Sequence, residues 1–188
     1  MPATRSNGPP VLLEDLSPLI AATTQWLTGA YPPAGGGALA SVLCEMQARQ
    51  AVTAAAWLRY PTPMDAALVV VAGPGGSARL DWITGADGAG TAGPQAYAWR
   101  TWVDEVVASW AACLLTDPGL AGRAVAALAE GGGQAAGTPV EFRRLLAPDD
   151  TDRGAAALLR HPDLLAPVAA LHRTQLRHLL ERGSTLAA

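Results

Sequence analysis

Apolar positions recur at three- and four-residue intervals through most of this chain, and that rhythm predicts helices. Glycine-rich stretches break it at PPAGGG (32–37), GPGG (73–76), GADGAGTAGP (85–94) and GGGQAAG (131–137). Between the breaks lie start and stop signals. Ser17-Pro18 sets a capping side chain before a proline that the first helical turn tolerates, and predicts a helix to about Thr28. Ala38 to Tyr60 reads as one long helix stopped by Pro61. Asp117-Pro118 opens an alanine-rich helix to about Glu130, and Thr138-Pro139-Val140-Glu141 is a capping box for a helix to about Leu146. Thr151 caps a segment to Arg160 that His161-Pro162 interrupts, and a last helix runs to about Arg182 with Gly183 as its terminator.

One stretch supports two readings. LVVVAGPGGSARLDWITG (68–85) joins a β-branched run to an alternating RLDWIT through a Gly/Pro turn, which favours a hairpin. Thr62-Pro63-Met64-Asp65 is nevertheless a helix-start signature, with Gly73 as the residue that would end that helix. The expected fold is mainly α: a compact domain of about six to seven helices over residues 11–183, with a small β-hairpin near 68–84. Residues 1–10 and 184–188 are expected to be flexible ends.

The segment QAYAWRTWVDEVVASW (95–110) holds three of the six tryptophans, in a chain with one phenylalanine, Phe142. Projected at a helical period, Trp99, Trp102, Val103, Val106, Trp110, Cys113 and Leu114 share one face, with Arg100, Asp104, Glu105 and Ala108 opposite. Each indole buries about 150–250 Å², enough to fill gaps between alanine-faced helices. Core, a pocket for a small apolar ligand and a seam between copies all remain open for Trp99, Trp102 and Trp110.

The same projection puts two polar residues inside apolar faces. Gln50 falls among Leu39, Leu43, Met46, Thr53 and Trp57, and His172 among Leu165, Val168, Ala169, Leu176, Leu179 and Leu180. A buried polar group without a partner costs about 1–3 kcal/mol, so each is expected to find one. Satisfied core residues are the simpler reading. The functional one makes Gln50 and His172 the polar groups of an apolar pocket shared with the tryptophans.

Charge and chemistry narrow the function more than they define it. All 13 basic residues are arginine, a bias that matches codon usage in a GC-rich bacterial genome. The net charge of −3 disfavours non-specific binding of nucleic acid, and no polybasic patch suggests a membrane surface. The longest strongly apolar run, Ala66 to Ala72, is too short for a bilayer, and MPATRSNGPP has no apolar core of a signal peptide. Cys44 and Cys113 are 69 residues apart, outside any metal-binding spacing, and read as reduced thiols of a cytoplasmic protein. His172 and His178 lean to different faces and cannot share an ion from one helix. Asp149, Asp150 and Asp152 sit where a helix starts, where its dipole accounts for them without a metal.

GPGGSA lacks the Lys-Ser/Thr of a phosphate loop, and GADGAGTAG follows no clear strand. No nucleophile or orienting carboxylate is evident for His172. Arg173, Arg177 and His178 lie off the apolar centre of the last helix, and are either a solvated face or a contact for an acidic partner or anion. Together these features favour a non-catalytic accessory or assembly protein that works through protein–protein contacts and self-associates. A small-molecule-binding helical domain is the alternative, and an enzyme using a Gly-rich loop with His172 is the third reading. No cofactor is expected.

Because neither the cysteines nor the histidines have ligand or disulfide spacing, treatment with a chelator and a reductant should leave the thermal midpoint in place. A large drop would show that a metal or a disulfide holds the fold.

Overall fold

A computed structural model of the chain describes residues 16–72, 104–130 and 141–186. Eight helices lie among the described residues: α1 (Ser17–Ala30), α2 (Ala38–Arg59), α3 (Pro63–Ala72), α4 (Glu105–Thr116), α5 (Pro118–Glu130), α6 (Arg143–Leu146), α7 (Asp150–Ala155) and α8 (Pro162–Leu186). No strand occurs among the described residues, so the chain is mainly helical. The helix signature at Thr62–Asp65 wins over the hairpin. Asp65 N–H donates to Thr62 Oγ1, and the residues expected as a first strand, 68–72, complete α3. The remainder of the expected hairpin lies outside the described residues, as do Thr138 to Val140 of the expected capping box.

The helix carrying Trp110 begins at Glu105, far later than the periodicity implied. Asp104 is its N-cap, in extended conformation, and its Oδ1 accepts from Val106 and Val107 N–H at 2.9 and 3.1 Å. The expected exposed position of Asp104 is therefore wrong: it is fully buried, and the Tyr60 hydroxyl, just past the end of α2, donates to its Oδ2. Burial and the Asp104 carboxylate both raise the Tyr60 pKa, so the phenol keeps its proton. Trp99 and Trp102 lie outside the described residues.

Nor is α4 amphipathic. Every residue from Val107 to Leu115 is buried, Ala108 included, because α1, α2, α5 and α8 all pack against this helix. Such encirclement needs small side chains, and Ala108, Ser109, Ala111 and Ala112 supply them. The facing helix answers in kind. α2 buries Cys44, Gln47, Ala48, Ala51, Val52, Ala54, Ala55 and Ala56, so its inner face is largely alanine. The large residues expected inside, Leu39 and Met46, point outward instead, while Leu43 and Trp57 are buried as expected. Alanine supplies much of the buried surface of both helices, beside Leu43, Trp57 and Leu58 of α2 and Trp110, Leu114 and Leu115 of α4.

The linker from α1 to α2 turns at Gly36, whose φ of 61° is a left-handed conformation that a side chain would strain. Asp117 Oδ1 caps α5 at Leu120 N–H (2.9 Å), as the Asp-Pro pair implied. Asp149, not Thr151, caps α7. Its side chain accepts from Asp152 N–H at 2.8 Å, and Asp152 returns the contact to Asp149 N–H. Those bonds hold the Asp149 pKa below the usual carboxylate range, the Asp152 N–H first among them. In the aspartate cluster Asp149 and Asp152 close the capping box, Asp152 pairs with Arg144 and Asp150 with Arg153.

The last helix bends at His172, where φ is −131° and ψ is 20°. Pro167 lies inside the same helix, five residues earlier, so the bend is not at the proline itself. Side chains of α4 occupy the bend. Ser109 Oγ accepts from His172 N–H (3.0 Å) and donates to the Ala169 carbonyl (3.4 Å). Trp110 Nε1 donates to the His172 carbonyl (3.2 Å), and Cys113 Sγ donates to Ala169 (3.1 Å). Helix α8 also runs on past Gly183 to Leu186 rather than ending at the glycine.

Ser109→Ala should therefore cost about 1–3 kcal/mol in urea unfolding, because it takes from the His172 N–H the partner it has at the bend, the Ala169 carbonyl keeping only Cys113. Trp110→Ala should cost about 3–5 kcal/mol, as removing a core indole does. Neither loss should depend on protein concentration. A Ser109→Ala variant as stable as wild type would show that the hydroxyl does not hold the bend.

Candidate functional site

The residues singled out in the sequence fall in three places. Trp110 and His172 come together at the bend of α8. The Trp110 ring is buried in the core, and its N–H donates to the His172 carbonyl. The His172 ring is partly exposed, and its Nε2 stands 3.8 Å from Oε1 of Glu105, itself partly exposed in the first turn of α4. A carboxylate that the sequence did not reveal thus lies near the ring, beyond hydrogen-bond distance. The nearby Ser109 is not a matching nucleophile: it is fully buried, and its hydroxyl is engaged by backbone groups on both sides. This arrangement positions a helix rather than a reacting atom.

Gln50 lies elsewhere. Its Oε1 accepts from Leu145 N–H at 2.9 Å, and its side chain is half-buried beside a groove of about 370 Å³. Ile20, Met46 and Phe142 give the groove apolar walls, and Arg49, Thr53 and Glu141 give it polar ones. Sequence projection chose Gln50 as the buried amide, but the fully buried one is Gln47, a turn earlier on the alanine face. Gln47 Nε2 donates to the Arg144 carbonyl at 2.8 Å, while its Oε1 has no partner among the described residues. The spacing of Cys44, Ala48, Ala51 and Ala55 around position 47 was a signal for this that residue size obscured.

Both glutamines therefore fasten the single turn of α6 to α2. Arg160 completes the fastening: its guanidinium donates to the carbonyls of Leu145 (3.0 Å), Arg144 (3.3 Å) and, on α4, Leu115 (3.4 Å). Burial lowers its pKa, with Arg153 adding to that and Asp152 opposing it. Arg144 pairs with the buried Asp152 of α7. Neither Arg144 nor Arg160 was marked by the sequence, because a guanidinium that ties up helix ends has no local pattern.

Arg173, Arg177 and His178 do not form one cluster. Arg173 is half-buried and, with Arg177, lies close enough to Cys113 to favour its thiolate, against the stronger effect of burial. His178 is exposed and stands 3.7 Å from Glu181 on the same helix. No group of three or more His, Cys, Asp or Glu side chains among the described residues could hold a metal ion. No helix among the described residues is long and apolar enough to cross a membrane.

Three apolar side chains stand out on α2: Leu39 is 66% exposed, Val42 52% and Met46 43%. At intervals of three and four they make one ridge along the outer face of the helix. A second set stands on α3, with Met64 75% exposed, Leu68 46% and Val71 65%. Below the α2 ridge, toward the C-terminal end of the same face, lies the groove bordered by Met46, Arg49, Gln50 and Thr53.

Comparison with known proteins gives no relative: no protein-family model, no curated protein and no solved structure matches the chain.

Both thiols are buried, and burial pushes the pKa of Cys44 up to about 11 and raises that of Cys113. A raised thiol pKa keeps the proton at neutral pH, and the associated stability is lost only as pH climbs from the ordinary value of 9.0 through about 11. At pH 8 an alkylating reagent should leave both cysteines unmodified in the native protein and modify both in urea. Rapid native labelling of either would show that it is reachable.

Proposed function

We propose that the chain is a non-catalytic accessory or assembly protein of the cytoplasm, acting through protein–protein contacts and associating with itself. The observation that carries this reading is the pair of exposed apolar helix faces, Leu39–Val42–Met46 and Met64–Leu68–Val71. Apolar side chains grouped at helical spacing on a surface commonly mark an interaction site. The buried polar network supports the same reading: Ser109, Gln47, Gln50 and Arg160 are spent on helix ends and bends, where they fix a scaffold. A net charge of −3 favours a protein partner over nucleic acid.

The groove beside Gln50 supports a second reading, a small-molecule-binding helical domain. Its mixture of Ile20, Met46 and Phe142 with Arg49, Gln50 and Thr53 suits a small ligand with an apolar body and a polar end. The catalytic reading rests on His172 and Glu105 alone and is the weakest of the three.

The test immobilises wild type and a Val42→Glu/Leu68→Glu variant in the same host lysate, with light scattering of each alongside. Wild type is expected to self-associate or to retain a protein that the variant releases. Equal masses and equal retention would sink the protein-contact reading. A thermal-shift panel of hydrophobic metabolites and nucleotides tests the second, since a ligand of the native state raises the midpoint. Under that reading Gln50→Leu removes the shift.

A further inference from the structure

We infer that the groove between α1, α2 and the start of α6 is a site for a free amino acid with an apolar side chain. Arg49 and Gln50 hold its carboxylate, and Glu141 holds its ammonium. The inference rests on the small-molecule reading and names the class of ligand.

The polar wall on α2 offers donors. Gln50 Oε1 accepts from Leu145 N–H at 2.9 Å. An N–H bonds only an acceptor, so this contact fixes which way the amide lies and leaves its Nε2 donors for a ligand. Arg49 is the next residue and lines the same groove. Its ion pair with Glu45 is 3.6 Å long and half-exposed at both ends. A pair of that length and exposure is weak, and it leaves most of the five guanidinium donors over. A guanidinium beside an amide NH2 matches a carboxylate.

Glu141 supplies the opposite charge. It is exposed and lines the same groove. It stands four residues before Leu145, the residue that Gln50 grips, and Leu145 N–H also closes a turn on the Phe142 carbonyl at 3.1 Å. Four residues of such a turn rise only about 6 Å. The Glu141 carboxylate and the Gln50 amide are therefore within reach of one small molecule. An α-amino acid carries its ammonium and carboxylate on a single carbon, and it needs an anion and donors this close together. The two charges of the groove, Arg49 and Glu141, cancel each other. A ligand with one charge answers only one of them, while a zwitterion answers both.

Ile20, Met46 and Phe142 receive the side chain. The Phe142 ring is held edge-on against Trp57, with centroids 6.0 Å apart, so that wall is formed before any ligand arrives. A groove of about 370 Å³ lies at the small end of ligand pockets, which run from about 300 to 1,000 Å³. That size suits one apolar side chain and its charged head.

The test is calorimetric titration of the full chain with L-phenylalanine and L-leucine, and with three incomplete analogues. 3-Phenylpropionate lacks the ammonium, phenethylamine lacks the carboxylate, and glycine lacks the side chain. Phenylalanine and leucine are expected to bind at one site per chain, and each analogue at least about tenfold more weakly. Arg49→Met should weaken phenylalanine about tenfold and leave phenethylamine unchanged, and Glu141→Gln should weaken phenylalanine about tenfold and leave phenylpropionate unchanged. Gln50→Glu keeps an acceptor for Leu145 N–H but faces the ligand with an anion, and should abolish binding. The analogue series on wild type keeps the test decisive should any variant fail to fold.

No heat from either amino acid overturns the proposal and leaves the small-molecule reading to the thermal-shift panel. An analogue that binds as tightly as phenylalanine, and is lost in Gln50→Leu, overturns the amino-acid class while upholding that reading. Phenylalanine binding untouched by both Arg49→Met and Glu141→Gln puts the ligand elsewhere and overturns the site.

Discussion

The seam between α4 and α8 is the constraint on which the rest of the fold depends. A helix bend frees backbone groups that water would satisfy at the surface. Here the bend lies against the central helix, so protein groups must do it. Ser109 spans the bend, one hydroxyl serving both Ala169 and His172, and Trp110 takes the next carbonyl. The bend and the seating of α8 are thus one interaction. Straightening α8 would strand Ser109 and the indole N–H in the core. Moving α8 away would strand the bend. That mutual dependence fixes the relative placement of two helices more narrowly than apolar packing alone, which tolerates sliding.

From the central helix outward, side-chain size decides what each helix can bury. α4 is surrounded, so its neighbours must come close, and closeness demands alanine and serine at the contacts. α2 meets this demand with Ala48, Ala51, Ala54, Ala55 and Ala56, and places Gln47 among them. A long amide on an alanine face is affordable only because it leaves the contact sideways, to the Arg144 carbonyl of α6. The single turn of α6 has too few internal bonds to persist alone. Gln47, Gln50 and Arg160 supply the polar contacts that its own length cannot, and Leu145 anchors it in the core.

How much of this could be read in advance follows from the same physics. Several helix starts with a local chemical signature were legible: Asp117 before α5, the Thr62–Asp65 motif before α3, and the aspartate run before α7, where the cap proved to be Asp149 rather than Thr151; Ser17, expected to cap α1, is instead its first residue, with Leu16 at the cap. The apolar stripe of α8 was legible too, since Leu165, Ala169, Leu176 and Leu180 are buried at regular spacing. What failed was any inference from size. Projection assumes that the bulkiest apolar residues face inward, and on α2 that turned Leu39 and Met46 the wrong way. On α4 it imposed two faces on a helix that has only an inside, and it read Asp104 as a surface charge when that residue caps a buried helix end. The candidate site suffered for the same reason. Gln50 and Trp110 were grouped as one pocket because both interrupt or decorate apolar faces, yet they belong to separate contacts. Pairings such as Tyr60 with Asp104, or Arg160 with three carbonyls, join distant positions and leave no trace in local sequence.

The failure of the size rule on α2 is itself informative about the surface. A helix held on its inner side by close alanine packing and two amide anchors has little freedom to roll, so its outer face is presented in a fixed orientation. Fixing a binding surface before contact lowers the ordering cost of association, so a small apolar ridge can suffice where a loop of equal area would not. The same rigidity works against the monomer. It prevents Leu39, Val42 and Met46 from turning inward to escape water, and the apolar area they expose stays exposed until another surface covers it. Tight packing inside and an uncovered ridge outside are in this sense one property of α2. The packing that buries Leu43, Trp57 and Leu58 together with the alanines holds the helix in the rotation that leaves Leu39, Val42 and Met46 outside.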